Sequence, residues 1–313
     1  MLLTRLNLQD NEIDRLPRDM NEIGEELYWL AMRNNQLTTL PKCISGCCGL
    51  KQIDMSRNLI DTIEDFTLPV LADLNLGNNS KLECLGVPSS TFARRVRSLP
   101  PLSAPFLRPR AGLAELPDTF AGMRSLVKLN LSHNQLQQLP PSVGQMPSLK
   151  FLDVSHNVIS ELPSFDGARK LTTLGAFANC MAFVPSLAHC AALTDLDLAQ
   201  NKLNEWPDLP PDGQMVRLVV SNNPMPELSG ELVWSMRDSL KELGCGSCGL
   251  SFLPEEIGAL KCLRILNCEF NEMKDIPASL GYLPDVISLR CAFVVGALGG
   301  DEGGAAPTDN FKH

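Results

Sequence analysis

Two groups of residues have types and spacings that could do chemistry. His133 and His156 occur in identical Ser-His-Asn triplets, and two imidazoles could share a metal ion. Cys245-Gly246-Ser247-Cys248 has the Cys-x-x-Cys spacing of redox and zinc sites. Neither grouping carries its chemistry through. No cysteine or carboxylate near the histidines completes a tetrahedral set, and no Gly-x-x-x-x-Gly-Lys-Ser/Thr loop, kinase signature or nucleophile–base set occurs. The Gly-rich stretch 296–304 has no basic residue and no following helix, so it does not cradle phosphate. Binding without a cofactor, rather than catalysis, is the expected work of this chain.

The elements that position these residues follow from an internal repeat. The template Leu-x-x-Leu-x-Leu-x-x-Asn-x-Leu-x-x-Leu-Pro is cleanest from Leu126 to Leu136, closing on Leu139-Pro140. Copies start at Leu3, Leu27, Leu50, Leu71, Leu126, Leu149, Leu171, Leu193, Met215, Leu240, Leu263 and Val286. The long interval between Leu71 and Leu126 is read as hiding a decayed fifth copy from Ser103, through Phe106, Leu113 and Leu116-Pro117, for thirteen repeats in all. Within each copy Leu-x-Leu alternates with the period of a strand, so the leucines face inward and the residues between them outward. The Asn side chain can bond backbone groups of its own and the neighbouring turn, forming a ladder. Pro ends the strand, and a helical turn returns the chain. The fold class predicted is an α/β leucine-rich-repeat solenoid: a curved horseshoe with a parallel sheet on its concave face and helical or 3-10 turns on its convex face. Cys245 and Cys248 fall on a core and a ladder position, and Cys268 and Cys291 on core positions, which makes them packing residues.

Composition narrows the function further. The formal net charge of −9 argues against a phosphate-coating surface, so nucleic acid is not an expected partner. No apolar run is long enough to span a membrane. Eleven cysteines are an odd number, and the first, Cys43, already lies inside the second repeat, so no cysteine-rich cap precedes the array. Met1-Leu2-Leu3 is followed at once by Thr4 and Arg5, with no apolar signal-peptide core. Reduced thiols in the cytoplasm, with the nucleus as an alternative, are expected.

The units Leu116-Pro117-Asp118-Thr119-Phe120-Ala121-Gly122-Met123 and Ile276-Pro277-Ala278-Ser279-Leu280-Gly281-Tyr282-Leu283 resemble the intracellular leucine-rich repeats of the Ras-group scaffolds. That resemblance implies a non-catalytic scaffold in signal transduction, with a small GTPase or a phosphatase complex as partner. Two other readings stand beside it. One is the substrate-recognition arm of a larger ubiquitin-ligase or kinase assembly; the other is a structural cytoskeletal or axonemal component.

The concave face is where a partner is expected. Trp29, Phe151, Phe177 and Phe270 are aromatic at outward positions where most copies are polar, and aromatics anchor interfaces. Asp54, Asp73, Asn130, His133, Asp153, His156, Asp195, Asp197 and Arg217 complete the candidate binding residues. The densest patch falls where Asp153, Asp195 and Asp197 flank Phe151 and Phe177, an arrangement suited to a basic partner. Four segments are expected: repeats 1–4 in 1–85, an irregular Arg/Pro-rich insertion with the decayed copy in 86–112, further repeats in 113–298, and a disordered Gly-rich tail in 299–313. Residues 84–114 hold five arginines and no acid, leaving the rest of the chain at −14. Neither end carries a polar cap, as expected of a fragment or of a chain that caps itself by association.

Overall fold

The computed structural model describes residues 3–291 except 24, 25, 41, 67, 80–111, 212 and 226. Twelve three-residue strands form one parallel sheet in strict sequence order. They are β1 Arg5–Asn7, β2 Trp29–Ala31, β3 Gln52–Asp54, β4 Asp73–Asn75, β5 Lys128–Asn130 and β6 Phe151–Asp153. The series continues as β7 Thr173–Gly175, β8 Asp195–Asp197, β9 Arg217–Val219, β10 Glu242–Gly244, β11 Ile265–Asn267 and β12 Ser288–Arg290. The middle residue of each internal strand points inward and is buried: Leu129, Leu152, Leu174 and Leu196 are all fully enclosed. Its neighbours on either side face out, the alternation that a strand imposes. Short turns return the chain on the other side, as 3-10 helices at Lys42–Gly46, Asp118–Gly122, Glu255–Ala259 and Ala278–Tyr282 and as α-turns such as Pro141–Gly144. The helical side is bulkier than the 4.8 Å strand spacing, so the stack curves into a solenoid with the sheet inside.

The asparagine ladder holds successive turns together. Asn157 donates through Nδ2 to the carbonyls of Leu131, Val154 and Ser155 at 3.0, 2.9 and 3.3 Å, and its Oδ1 accepts the Leu136 N–H at 3.0 Å. Asn35, Asn58, Asn179, Asn201, Asn223 and Asn271 repeat this scheme. Cys248 replaces one rung, its thiol donating to the Val220 and Gly246 carbonyls at 3.4 and 3.5 Å. The residue just before each rung adopts a left-handed backbone: Asp10, Asn34, Arg57, Asn78, His133, His156, Ala178, Gln200, Asn222, Ser247 and Phe270 all have φ between 54 and 59°. That conformation turns the chain out of the strand and costs any residue but Gly, Asn or Asp about 1–2 kcal/mol.

The repeat count is corrected here. β4 pairs directly with β5, Asp73 to Lys128 and Asn75 to Asn130, so no fifth strand stands between them, and the sheet has twelve strands rather than thirteen. Ser103 and Phe106 lie outside the described residues. Leu113 and Leu116 act as the back half of the fourth unit. The Gln135 N–H bonds the Leu113 carbonyl at 3.0 Å, as the Gln36 N–H bonds Ile13. Phe120 packs edge-on against Phe66 of the third unit, ring centroids 6.0 Å apart. Asn134 reaches across to the Leu76 carbonyl at 3.0 Å, so the ladder passes this point unbroken. Joined at Asn79 and Gly112, the fourth unit has the ordinary period, and residues 80–111 are additional to it. The junction leaves one mark: Asn134 Oδ1 is buried and has no hydrogen-bond partner among the described residues. In the neighbouring repeats an N–H two residues beyond the rung fills that role.

Candidate functional site

The thirteen candidate residues lie on or just beyond the strands of the one sheet, spread from β2 to β11. Trp29 lies on β2, with the Arg5 guanidinium 4.6 Å from its ring centroid. Asp54 and Asp73 follow on β3 and β4, and Phe270 stands far along the array beyond β11. The residues the fold does gather are those of β5 to β9. His133 and His156 stack with ring centroids 4.0 Å apart and planes 16° from parallel. Phe177 meets His156 edge-on at 4.9 Å. Three successive repeats thus present one continuous ring surface beside the strands. Stacked this way the imidazoles lie face to face rather than converging on a point. Among the described residues no group of three or more His, Cys, Asp or Glu is placed to hold a metal ion.

Much of the Asx column serves the backbone first. The N–H groups of Ser56, Ser132, Ser155 and Ala199 donate to Oδ1 of Asp54, Asn130, Asp153 and Asp197 at 3.0, 2.9, 3.0 and 3.2 Å. These side chains close the turn that precedes each left-handed residue, and each keeps one polar atom on the outward face. Arg217 is held by two carboxylates, Nη2 to Asp197 Oδ2 at 3.0 Å and Nε to Glu242 Oε1 at 3.2 Å, which ties β8, β9 and β10 together. Asp195 accepts the Thr194 hydroxyl through Oδ2 at 2.7 Å. The outward positions from β3 to β9 carry five aspartates against Lys128 and Arg217, and among the described residues Asp197 alone of the five is in an ion pair.

Burial raises the Asp73 carboxyl above the ordinary range, Lys128 pulls it down, and Asp54 pushes it further up. The folded protein therefore binds this proton more tightly than the unfolded chain. That contribution to stability is complete below the unfolded pKa and lost as pH rises through the folded one. Asp73→Asn is expected to raise the melting temperature slightly at neutral pH, with the difference from wild type shrinking in acid, as thermal melts across pH will show. The cysteines are spectators of the site. All ten described cysteines are free. Burial pushes Cys248 up to about 11 and Cys245 higher, and hydrogen bonding with Cys291 holds the Cys268 thiol protonated.

Sequence reasoning found the residue types but missed the ring stack, which depends on the left-handed position. Phe270 is the clearest outlier there: a bulky side chain at φ 58°, 63% exposed. Phe270→Asn is expected to stabilise the protein by about 1 kcal/mol, read by denaturant unfolding, because Asn accepts this backbone more readily.

Comparison with known proteins agrees with this architecture. The family profile "Leucine rich repeat" matches residues 2–60 and 124–181. Mouse podocan-like protein 1 is 29% identical over 290 residues, which is 89% of this chain and 50% of that protein. Rabbit fibromodulin is 30% identical over 136 residues, 44% of this chain and 88% of the relative. The chain belongs to the leucine-rich repeat family. It spans about half the length of podocan-like protein 1. Among solved structures, the Arabidopsis receptor kinase HAESA in complex with the peptide hormone IDA and the co-receptor SERK1 superposes with a TM-score of 0.69 at 22% identity, covering 92% of this chain and 46% of that one. Leucine-rich repeat proteins are in general non-catalytic interaction modules. No helix among the described residues is long and apolar enough to cross a membrane.

Proposed function

We propose that this chain is a non-catalytic protein-binding scaffold that holds its partner on the concave face, centred on β6 to β8. The observation that carries this reading is the ring surface His133–His156–Phe177 beside Phe151 and half-buried carboxylates, since rigid aromatics near the centre of a patch are the usual anchors of protein interfaces. Trp29 and Phe270 mark secondary contacts towards the ends. The Ras-group pattern of the turns supports a role in intracellular signal transduction, with a small GTPase or phosphatase complex as partner. The order of regular units, the short one near Trp206-Pro207 and the longer one around Leu228–Leu240 resemble leucine-rich-repeat-containing protein forty. Affinity capture from cytosol tests this with wild type and Phe151→Ala/Phe177→Ala/Asp197→Ala. A small set of proteins lost only from the variant supports the reading, and an unchanged set contradicts it.

A second reading has its own support. The structural relative HAESA is a receptor kinase seen with a peptide hormone, which favours ligand capture by a longer protein of which this array is the binding part. Compartment separates the two. Free thiols support the cytoplasm, whereas in an oxidising compartment Cys268 and Cys291, which directly follow the neighbouring strands β11 and β12, are expected to join. Thiol counting on protein from its native cell should find eleven free thiols in the first case and nine in the second.

A further inference from the structure

We infer that the occupant of the concave face is an extended basic segment of a partner protein, with a Lys or Arg side chain seated over β7 between Asp153 and Asp195. This rests on the concave-face reading above and specifies its chemistry. In the sheet register Gly175 lies directly between Asp153 and Asp197, and Thr173 directly between Phe151 and Asp195. Gly175 contributes no side chain of its own to this group. A Cβ there would stand 3.1 Å from Asp153 Oδ1 and 3.3 Å from Ser155 Oγ, so these two side chains close over Gly175 and the Asp153 carboxylate lies against β7. Phe177, two residues on, offers its ring to a cation.

A second such cell shows what it receives. Two strands along the sheet, on β9, Arg217 lies between carboxylates of β8 and β10 at 3.0 and 3.2 Å. Over β7 the carboxylates recur and the cation is missing from the sequence, Thr173 standing where β9 has Arg217. Asp153 and Asp195 each use one oxygen locally, for the Ser155 N–H and the Thr194 hydroxyl, and keep the other for a partner. A neutral or acidic segment would leave these charges facing it unmatched.

A display library of random dodecapeptides, selected on the intact protein, tests the proposal. Wild type should enrich peptides with Lys or Arg, whose binding weakens as salt rises. Asp153→Asn/Asp195→Asn, which keeps the turn-closing oxygens, should lower their affinity at least tenfold. Thr173→Arg should do likewise by supplying the cell with its own cation while both carboxylates remain, and Trp234→Ala on the convex side should leave it unchanged. Circular dichroism confirms that each variant is folded. Binders without Lys or Arg that still depend on Phe151 and Phe177 would overturn the basic seat and leave the concave reading standing. Binders insensitive to every concave substitution, or no binders at all, would overturn both.

Discussion

Deleting residues 80–111 should leave a folded protein, stabilised by about 2 kcal/mol. The shortened fourth unit runs Leu71–Asn79 and then Gly112–Ser125, with Leu113 following its asparagine at the same offset as Leu136 follows Asn134. β4 and β5 are already direct neighbours, so nothing in the sheet has to move. Replacing a long connection by a tight one removes loop-closure entropy on the order of 2 kcal/mol. The deletion also allows the Leu113 N–H to reach Asn134 Oδ1, a buried acceptor with no partner among the described residues. Urea unfolding of the two proteins measures the difference. A deletion variant several kcal/mol less stable would show that the removed segment builds part of the stack.

Asn157→Leu is expected to destabilise by about 3 kcal/mol, because the ladder has no slack. Asn157 is 7% exposed and serves four backbone groups, and leucine would leave buried carbonyls and an N–H without partners. Asn157→Cys should cost about half as much, following the rung that Cys248 already makes with two carbonyls. Hydrogen exchange should place the loss in β5 to β7 first, since each repeat is held mainly by its neighbours.

The architecture was legible in the sequence because the repeat is written in residues whose burial leaves little choice. Leu129, Leu152 and Leu174 are spaced one repeat apart and can only face inward, and their asparagines mark the turns. The interval after Leu71 misled for a physical reason: Leu113 and Leu116-Pro117 match the template, but the template cannot say whether they close an old unit or belong to a new one. Strand pairing decides that, and pairing is not local. The site was half legible. Alternation identified Phe151, Asp153, Asp195 and Asp197 as outward residues. It could not show that the residue before each asparagine is left-handed, and that geometry brings His133, His156 and Phe177 into contact. Nor did it show that Arg217 is spent on Asp197 and Glu242 while β7 carries no cation of its own between Asp153 and Asp195.

Hydroxyl-radical footprinting of the protein alone and with its captured partner tests the central claim most directly. Partner binding on the concave face predicts strong protection of Phe151, His156 and Phe177, with Trp234 on the convex side and Phe183 and Phe252 oxidised as in the free protein. Protection of Trp234, Phe183 or Phe252 with the concave residues unchanged would contradict it.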